Sequence, residues 1–203
     1  MDKPNKIEIL SMLTRLRQIC CEPRVLFDNI ENAGSKLKSC MELIISLKQA
    51  KQKVLLFSSF TSVLDLIGNE LHENHISYAM LTGSTSKEKR RELVDQFQNG
   101  LYDVFLISLK AGGTGLNLTA ASNVIHYDPW WNVSAQNQAT DRAHRIGQQN
   151  KVTVYKLIMK NSIEEKIQVL QAKKKQLSDT FVEGNEGSIS NMSFDDILSL
   201  FEV

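Results

Sequence analysis

Two arginines three residues apart, Arg142 and Arg145, lie in the stretch QATDRAHRIGQQ, Gln138 to Gln149. A helix predicted from near Ser134 toward Gly147 puts both on one face, because positions i and i+3 are neighbours on a helix surface. Two guanidiniums on one face can contact separate oxygens of a polyphosphate and stabilise the charge that develops during phosphoryl transfer. Asp141 and Arg145 are also i, i+4 partners. By spacing alone, a salt-bridged surface helix is the simpler account.

A glycine-rich stretch, Ala111-Gly112-Gly113-Thr114-Gly115, follows the apolar run Val104-Phe105-Leu106-Ile107. Glycines after a strand let backbone approach a ligand closely. An ordinary tight turn is the competing account. It is not a P-loop, since no Gly in the chain is followed by Lys, and no Asp-Glu pair offers a Mg²⁺-binding acidic motif. Trp130 and Trp131 sit in a Pro-containing loop beyond another apolar run. A tryptophan pair is usually core, although an aromatic there can pack against sugar or base.

The elements that must position these residues are legible as alternating patterns. Val54-Leu55-Leu56-Phe57, Tyr78-Ala79-Met80-Leu81, Val104 to Ile107 and Val124-Ile125-His126-Tyr127 are continuous apolar runs, and Val152 to Ile158 is a fifth candidate. Continuous hydrophobicity predicts strands buried on both faces. Helical patterns lie between them: Ser35 ahead of Leu37, Met41, Ile44 and Leu47; a capping box at Ser62-Val63-Leu64-Asp65; and Thr85-Ser86-Lys87-Glu88 opening a helix with Leu93, Val94 and Phe97. Strands alternating with helices predict a parallel α/β sheet.

Two helices flank this unit. Residues 6–21 carry Ile9, Leu13, Leu16 and Cys20 on one face and close at Pro23; Ser162 and Glu165 form a capping box for a long helix with Ile163, Ile167, Leu170, Leu177 and Phe181 in one stripe. The stripe predicts packing against a neighbour, and Lys173-Lys174-Lys175 reads as a solvated face. Residues 183–193 have loop composition, and Ser193 to Phe201 reads as a short amphipathic helix.

Composition bounds the class. The 203 residues are 42% hydrophobic and 23% charged, ordinary for a globular chain with one sizeable core. No run approaches the roughly 18 apolar residues of a membrane span, and the start has no signal-peptide core, so an intracellular soluble protein without a membrane partner is expected. Cys20, Cys21 and Cys40 lack zinc-site spacing, and His72 and His75 have no third ligand nearby, so no metal site is expected. Net charge is +1, but the last 22 residues hold five acids and no base, which leaves the body at +6. That permits a nucleic-acid partner without demanding one.

Taken together, the motifs resemble a known family. DRAHRIGQ resembles helicase motif VI of the Swi/Snf-type ATPases of helicase superfamily two; Ser108 to Asn132 resembles their motif V and its extension, Val54 to Ile67 motif IV, and Tyr78 to Phe97 the motif after it. Leu13 to Pro23 and Gly34 to Leu37 look like that family's lead into its second lobe. The resemblance covers nearly the whole chain, in order. It implies a C-terminal RecA-like lobe: a parallel sheet with helices on both faces, plus flanking N-terminal and brace-like C-terminal helices. The corresponding division is 1–34 lead-in, 35–160 lobe, 161–182 brace-like helix and 183–203 acidic tail.

The same resemblance implies the roles. Arg142 and Arg145 would act as arginine fingers, with Gly113, Gly115, Gln138 and Asp141 facing ATP. Ser58, Ser59, Thr82, Ser84, Ser108 and Lys110 would contact phosphates of double-stranded DNA; Trp131 would prop a DNA strand and Trp130 would be core. ATP and Mg²⁺ would belong to a complete two-lobe motor, the first RecA-like lobe being the partner, and the chain alone would bind neither and be inactive. Two positions depart from the family: Ser59 stands where Gln is frequent and Leu109 where Thr is frequent, which puts one phosphate contact in doubt. Cytoplasm or nucleoid in a bacterium, or nucleus in a eukaryote, is the expected location. A free-standing DNA- or protein-binding module without turnover, and a strand-separating helicase, are the alternatives.

Overall fold

The computed structural model describes residues 6–112, 117–130 and 151–180. Five strands, β1 (Val54–Ser58), β2 (Tyr78–Leu81), β3 (Val104–Ser108), β4 (Asn123–His126) and β5 (Thr153–Lys156), form one sheet in the order β2-β3-β1-β4-β5. All neighbours are parallel. The helices are α1 (Lys6–Cys21), α2 (Ser35–Gln49), α3 (Thr61–Glu73), α4 (Lys87–Gln98), the short α5 (Leu109–Gly112) and α6 (Ile163–Thr180), with a 3-10 turn at Pro23–Val25. This is the predicted RecA-like α/β fold.

Period-two alternation along the central strands splits the core into two layers. Val54, Leu56, Val104, Leu106 and Ile125 face α2 and α3 (Leu37, Ile44, Val63, Leu64, Ile67). Leu55, Phe57, Phe105, Ile107 and Val124 face Leu93 and Phe97 of α4 and the segment at Leu118 and Ala121. β1, β3 and β4 are buried along their whole length, as continuous hydrophobicity requires. β2 and β5 are edge strands, only alternately buried or largely exposed, and β5 is shorter than the apolar run Val152 to Ile158.

Helices α2, α3 and α4 stop in one way. Each is followed by a residue in the left-handed region, Lys51, His75 and Gly100. The next amide then reaches back five residues, Gln52 N to Leu47 O, Ile76 N to Leu71 O and Leu101 N to Gln96 O, which satisfies a terminal carbonyl and turns the chain into the next strand. His72 and His75 are exposed at this end of α3.

Several local signals shifted. The stretch Thr85-Ser86-Lys87-Glu88 opens α4 as predicted, and within it Ser86 is the cap, accepting from Lys89 N at 3.2 Å. α3, however, begins at Thr61 with Phe60 as N-cap and no side-chain cap bond, so the box at Ser62 does not form. Ser58 Oγ instead accepts from Phe60 N just before the helix. Ser35 is the first residue of α2 rather than its cap, which is Gly34. At α6, Ser162 Oγ accepts from Glu164 N, while Glu165 reaches back to Asn161 N instead of Ser162 N.

α1 departs most. Its buried row is Ile9, Leu13, Arg17 and Cys21, while Leu16 is 38% exposed. Ile9 and Leu13 pack on Ile163 and Ile167 of α6. The row continues at i, i+4 spacing through an arginine, because the sheet supplies that arginine with a buried carboxylate, Asp128.

His126 gives the fold a pH dependence. It is 1% exposed and stacks on Phe57 at 5.7 Å. Burial, with the charge of Lys156 adding to it, pushes its imidazole down from 6.5 to about 4. Between those values the unfolded chain binds a proton that the folded chain refuses, so acidification favours unfolding. Stability should fall as pH drops from 6.5 toward 4, by at most on the order of 3 kcal/mol. Urea melts across this window should show the loss in the native protein and a flatter profile in His126→Gln; identical profiles would remove His126 as the cause.

Candidate nucleic-acid interface

In an all-parallel sheet every strand ends on the same side, so the loops after β1, β2 and β3 converge. There a pocket of about 320 Å³ is lined by Ser59, Thr61, Thr82, Gly83, Ser84, Ser108 and Lys110. Five of the six candidate phosphate contacts, from three separate motifs, are thus brought to one concave surface. Lys110 is exposed at the start of α5, and Ser59 and Thr82 are half-buried.

Local bonding fixes the hydroxyls. After β2, Thr82 N donates to Thr85 Oγ1 at 3.0 Å and Thr85 N returns to Thr82 O. Thr82 Oγ1 and Ser84 Oγ are 2.9 Å apart, so the pair shares a proton and leaves the other directions open to an acceptor. Arg90 of α4 donates to Ala111 O at 3.3 Å and ties that helix to α5.

Ser58 and Ser108 occupy the same register at the ends of β1 and β3, yet they differ in state. Ser58 is 0% exposed; its hydroxyl donates to Asp128 Oδ1 at 2.7 Å and accepts from Phe60 N. Its single proton is spent on Asp128, which leaves no donor for the expected phosphate contact. Ser108 is 3% exposed, lines the pocket, and its Oγ has no hydrogen-bond partner among the described residues. A buried hydroxyl without a partner is costly, and an incoming oxygen would satisfy it.

Sequence reasoning missed the groups that hold these loops. Arg17 of α1 donates from one terminal nitrogen to Asp128 Oδ2 at 3.0 Å, Pro129 O at 3.0 Å and Ser59 Oγ at 3.1 Å. Asp128 Oδ1 also accepts from Ser59 N at 3.0 Å. Lys36 Nζ, 6% exposed as a residue, bonds both oxygens of Glu164 at 2.6 and 2.5 Å and Tyr127 O at 3.2 Å. Tyr127 donates its hydroxyl to Cys21 O at 2.9 Å. The sequence signal for Arg17 was its place on the Ile9–Leu13 row. Arg17 lies 6.0 Å from the ring of Trp130, which is half-buried and packs against the edge of the α4-side core rather than within it. Its carbonyl accepts from Gln171 of α6.

Gly113, Gly115, Trp131, Gln138, Asp141, Arg142 and Arg145 lie outside the described residues, as does the segment 183–203. Among the described residues no helix is long and apolar enough to cross a membrane.

Residues 35–147 match the helicase conserved C-terminal domain family. Over 200 residues the chain is 40% identical to an "uncharacterized ATP-dependent helicase" of Mycoplasma pneumoniae, spanning 98% of this chain and 19% of that protein. It is 42% identical over 166 residues to the chromatin-remodeling ATPase INO80 of Pyricularia oryzae, 81% of this chain and 8% of that one. The SWI2/SNF2 ATPase core of Sulfolobus solfataricus in complex with double-stranded DNA superimposes with a TM-score of 0.77 at 33% identity, over 96% of this chain and 42% of that chain. The chain spans less than a quarter of the length of the curated relatives it matches, 19% and 8% for these two.

The two serines should respond oppositely to truncation. Ser58→Ala leaves Asp128 short of a donor and should cost about 1–3 kcal/mol. Ser108→Ala removes a buried hydroxyl that has no partner among the described residues and should leave stability unchanged or raise it, by up to about 1 kcal/mol. Chemical melts of the two variants decide it, and equal losses would mean that Ser108 is bonded within the fold.

Proposed function

The chain belongs to the helicase conserved C-terminal domain family, as the C-terminal lobe of a Swi/Snf-type ATPase of superfamily two, and on that premise we propose that it is the second motor lobe of an ATP-driven translocase on double-stranded DNA. The observation that carries this reading is the pocket shared by Ser59, Thr82, Ser84, Ser108 and Lys110. Hydroxyls and one lysine suit phosphate oxygens, which every sequence presents alike, and carry no base code. A motor that steps along DNA needs that indifference.

In this reading the first lobe supplies the P-loop and the Mg²⁺ carboxylates, and ATP·Mg²⁺ sits between the lobes. Gly113, Gly115, Gln138 and Asp141 face the nucleotide, and Arg142 and Arg145 stabilise charge on the transferring phosphoryl group as the cleft closes. Trp131 props a DNA strand. Residues 35–160 are the lobe proper, 1–34 its lead-in, 161–182 a brace and 183–203 an acidic tail. The ATP-dependent activities in the names of the Mycoplasma and Pyricularia relatives support ATP as the fuel, and the DNA-bound Sulfolobus core supports a duplex partner. The motor works inside the cell, as a translocase of the type that remodels chromatin or other nucleoprotein, and the isolated chain turns over no ATP.

Arg145→Ala in the complete two-lobe protein should lower DNA-stimulated turnover by roughly 10³ to 10⁵. The fold should be kept, and lysine should not rescue, because a point ammonium does not reproduce the planar fork. Near-normal turnover with a lowered melting temperature would instead assign Arg145 to a surface pair with Asp141. Binding of duplex DNA should weaken steeply with salt and be indifferent to sequence. Ser108→Ala should weaken it by about one hydrogen bond, up to about tenfold; unchanged affinity would remove the pocket from the DNA interface.

A further inference from the structure

The last main-chain rung between β1 and β4 among the described residues is Tyr127 N to Phe57 O, at 2.9 Å. Beyond it the two strands part, β1 crossing toward β2 and β4 continuing toward β5. The turn after β1 carries Ser59, in the pocket. The turn after β4, Asp128 to Trp130, leads into the segment that holds Arg142 and Arg145. Among the described residues, bonds to side chains bridge the two turns there, and the bridge is completed from outside the sheet by α1.

Arg17 touches both turns at once. Its guanidinium reaches Ser59 Oγ in the first and the Asp128 carboxylate and Pro129 carbonyl in the second. It also lies 5.1 Å from the ring of Phe60 in the first turn and 6.0 Å from that of Trp130 in the second. The residue is 4% exposed, and Asp128 is 1% exposed. A planar group with fixed donors sets the separation and angle of its acceptors, which an ammonium on a flexible stem does not.

We infer that Arg17 is the positioning residue that couples the phosphate-contacting turn after β1 to the turn leading into the arginine segment, so that DNA seated at Ser59 aligns the ATP side. This rests on the reading of the chain as a DNA-stimulated motor lobe. Arg17 touches neither ligand. Its loss frees one turn to move without the other, so DNA seated at Ser59 no longer draws the ATP side into line, and failing to correct a misplacement of about 1 Å forfeits on the order of 10²-fold in rate.

The test uses the complete two-lobe protein, with ATP turnover measured without DNA and at saturating duplex DNA, alongside thermal melting. Arg17→Lys keeps the buried charge opposite Asp128. The double variant Arg17→Met with Asp128→Asn removes both charges and keeps an acceptor for Ser58 and Ser59, so one of the two remains informative if the other fails to fold. Both are expected to keep basal turnover within about twofold and to lose about tenfold or more of the stimulation by DNA. Basal and stimulated turnover falling in proportion, or stimulation left intact while the melting temperature drops, would overturn the coupling role and leave Arg17 as packing. Native protein whose turnover ignores DNA would overturn the motor reading itself, a distinct outcome because it appears before any substitution.

Discussion

The carboxylate of Asp128 is the constraint on which the functional end of this fold depends. Burying an ionised carboxylate is expensive unless its lone pairs are met. Here Ser58 Oγ and Ser59 N meet one oxygen and the Arg17 guanidinium the other. The consequence is geometric. The turn after β1 is fixed to the turn after β4, and α1 is fixed to both. Removing a partner would leave a charge stranded in the interior, so the arrangement holds together or fails together.

A second buried pair repeats the device on the neighbouring element. Lys36, at the start of α2, holds Glu164, at the start of α6, and the Tyr127 carbonyl. α6 also reaches the β4 turn through Gln171. The apolar cluster joining α1 to α6 is small, four buried side chains, so polar contacts carry much of the attachment. Buried ion pairs contribute little net stability compared with well-packed apolar groups of the same volume, but losing one partner is strongly destabilising because the other charge is left buried and unpaired. Two flanking helices are thereby registered to the loop end of the sheet, where small displacements matter.

The pocket follows from parallel topology. Connections from parallel strands leave from the same end, where open α/β sheets bind ligands. Its lining is almost free of charge apart from Lys110, which suits backbone oxygens met by hydroxyls more than a strong electrostatic grip.

The sequence by itself determined the sheet, the layers and the loops that carry the site. Continuous apolar runs specify buried parallel strands whatever their neighbours are, and the four residues Leu37, Met41, Ile44 and Leu47 fixed the inward face of α2 from their spacing alone. Only the tertiary structure decided which hydroxyl is left without a partner among the described residues. Ser58 and Ser108 are the same residue at the same register, and they differ because Asp128, seventy residues from Ser58, stands beside one of them. Arg17 and Lys36 escaped notice for the same reason. Neither has an acid three or four residues away, and their partners lie 111 and 128 residues further along the chain. Periodicity reports what a residue does within its own helix or strand. The burial of a charge depends on a partner that distant chain must deliver, and no local spacing encodes that meeting.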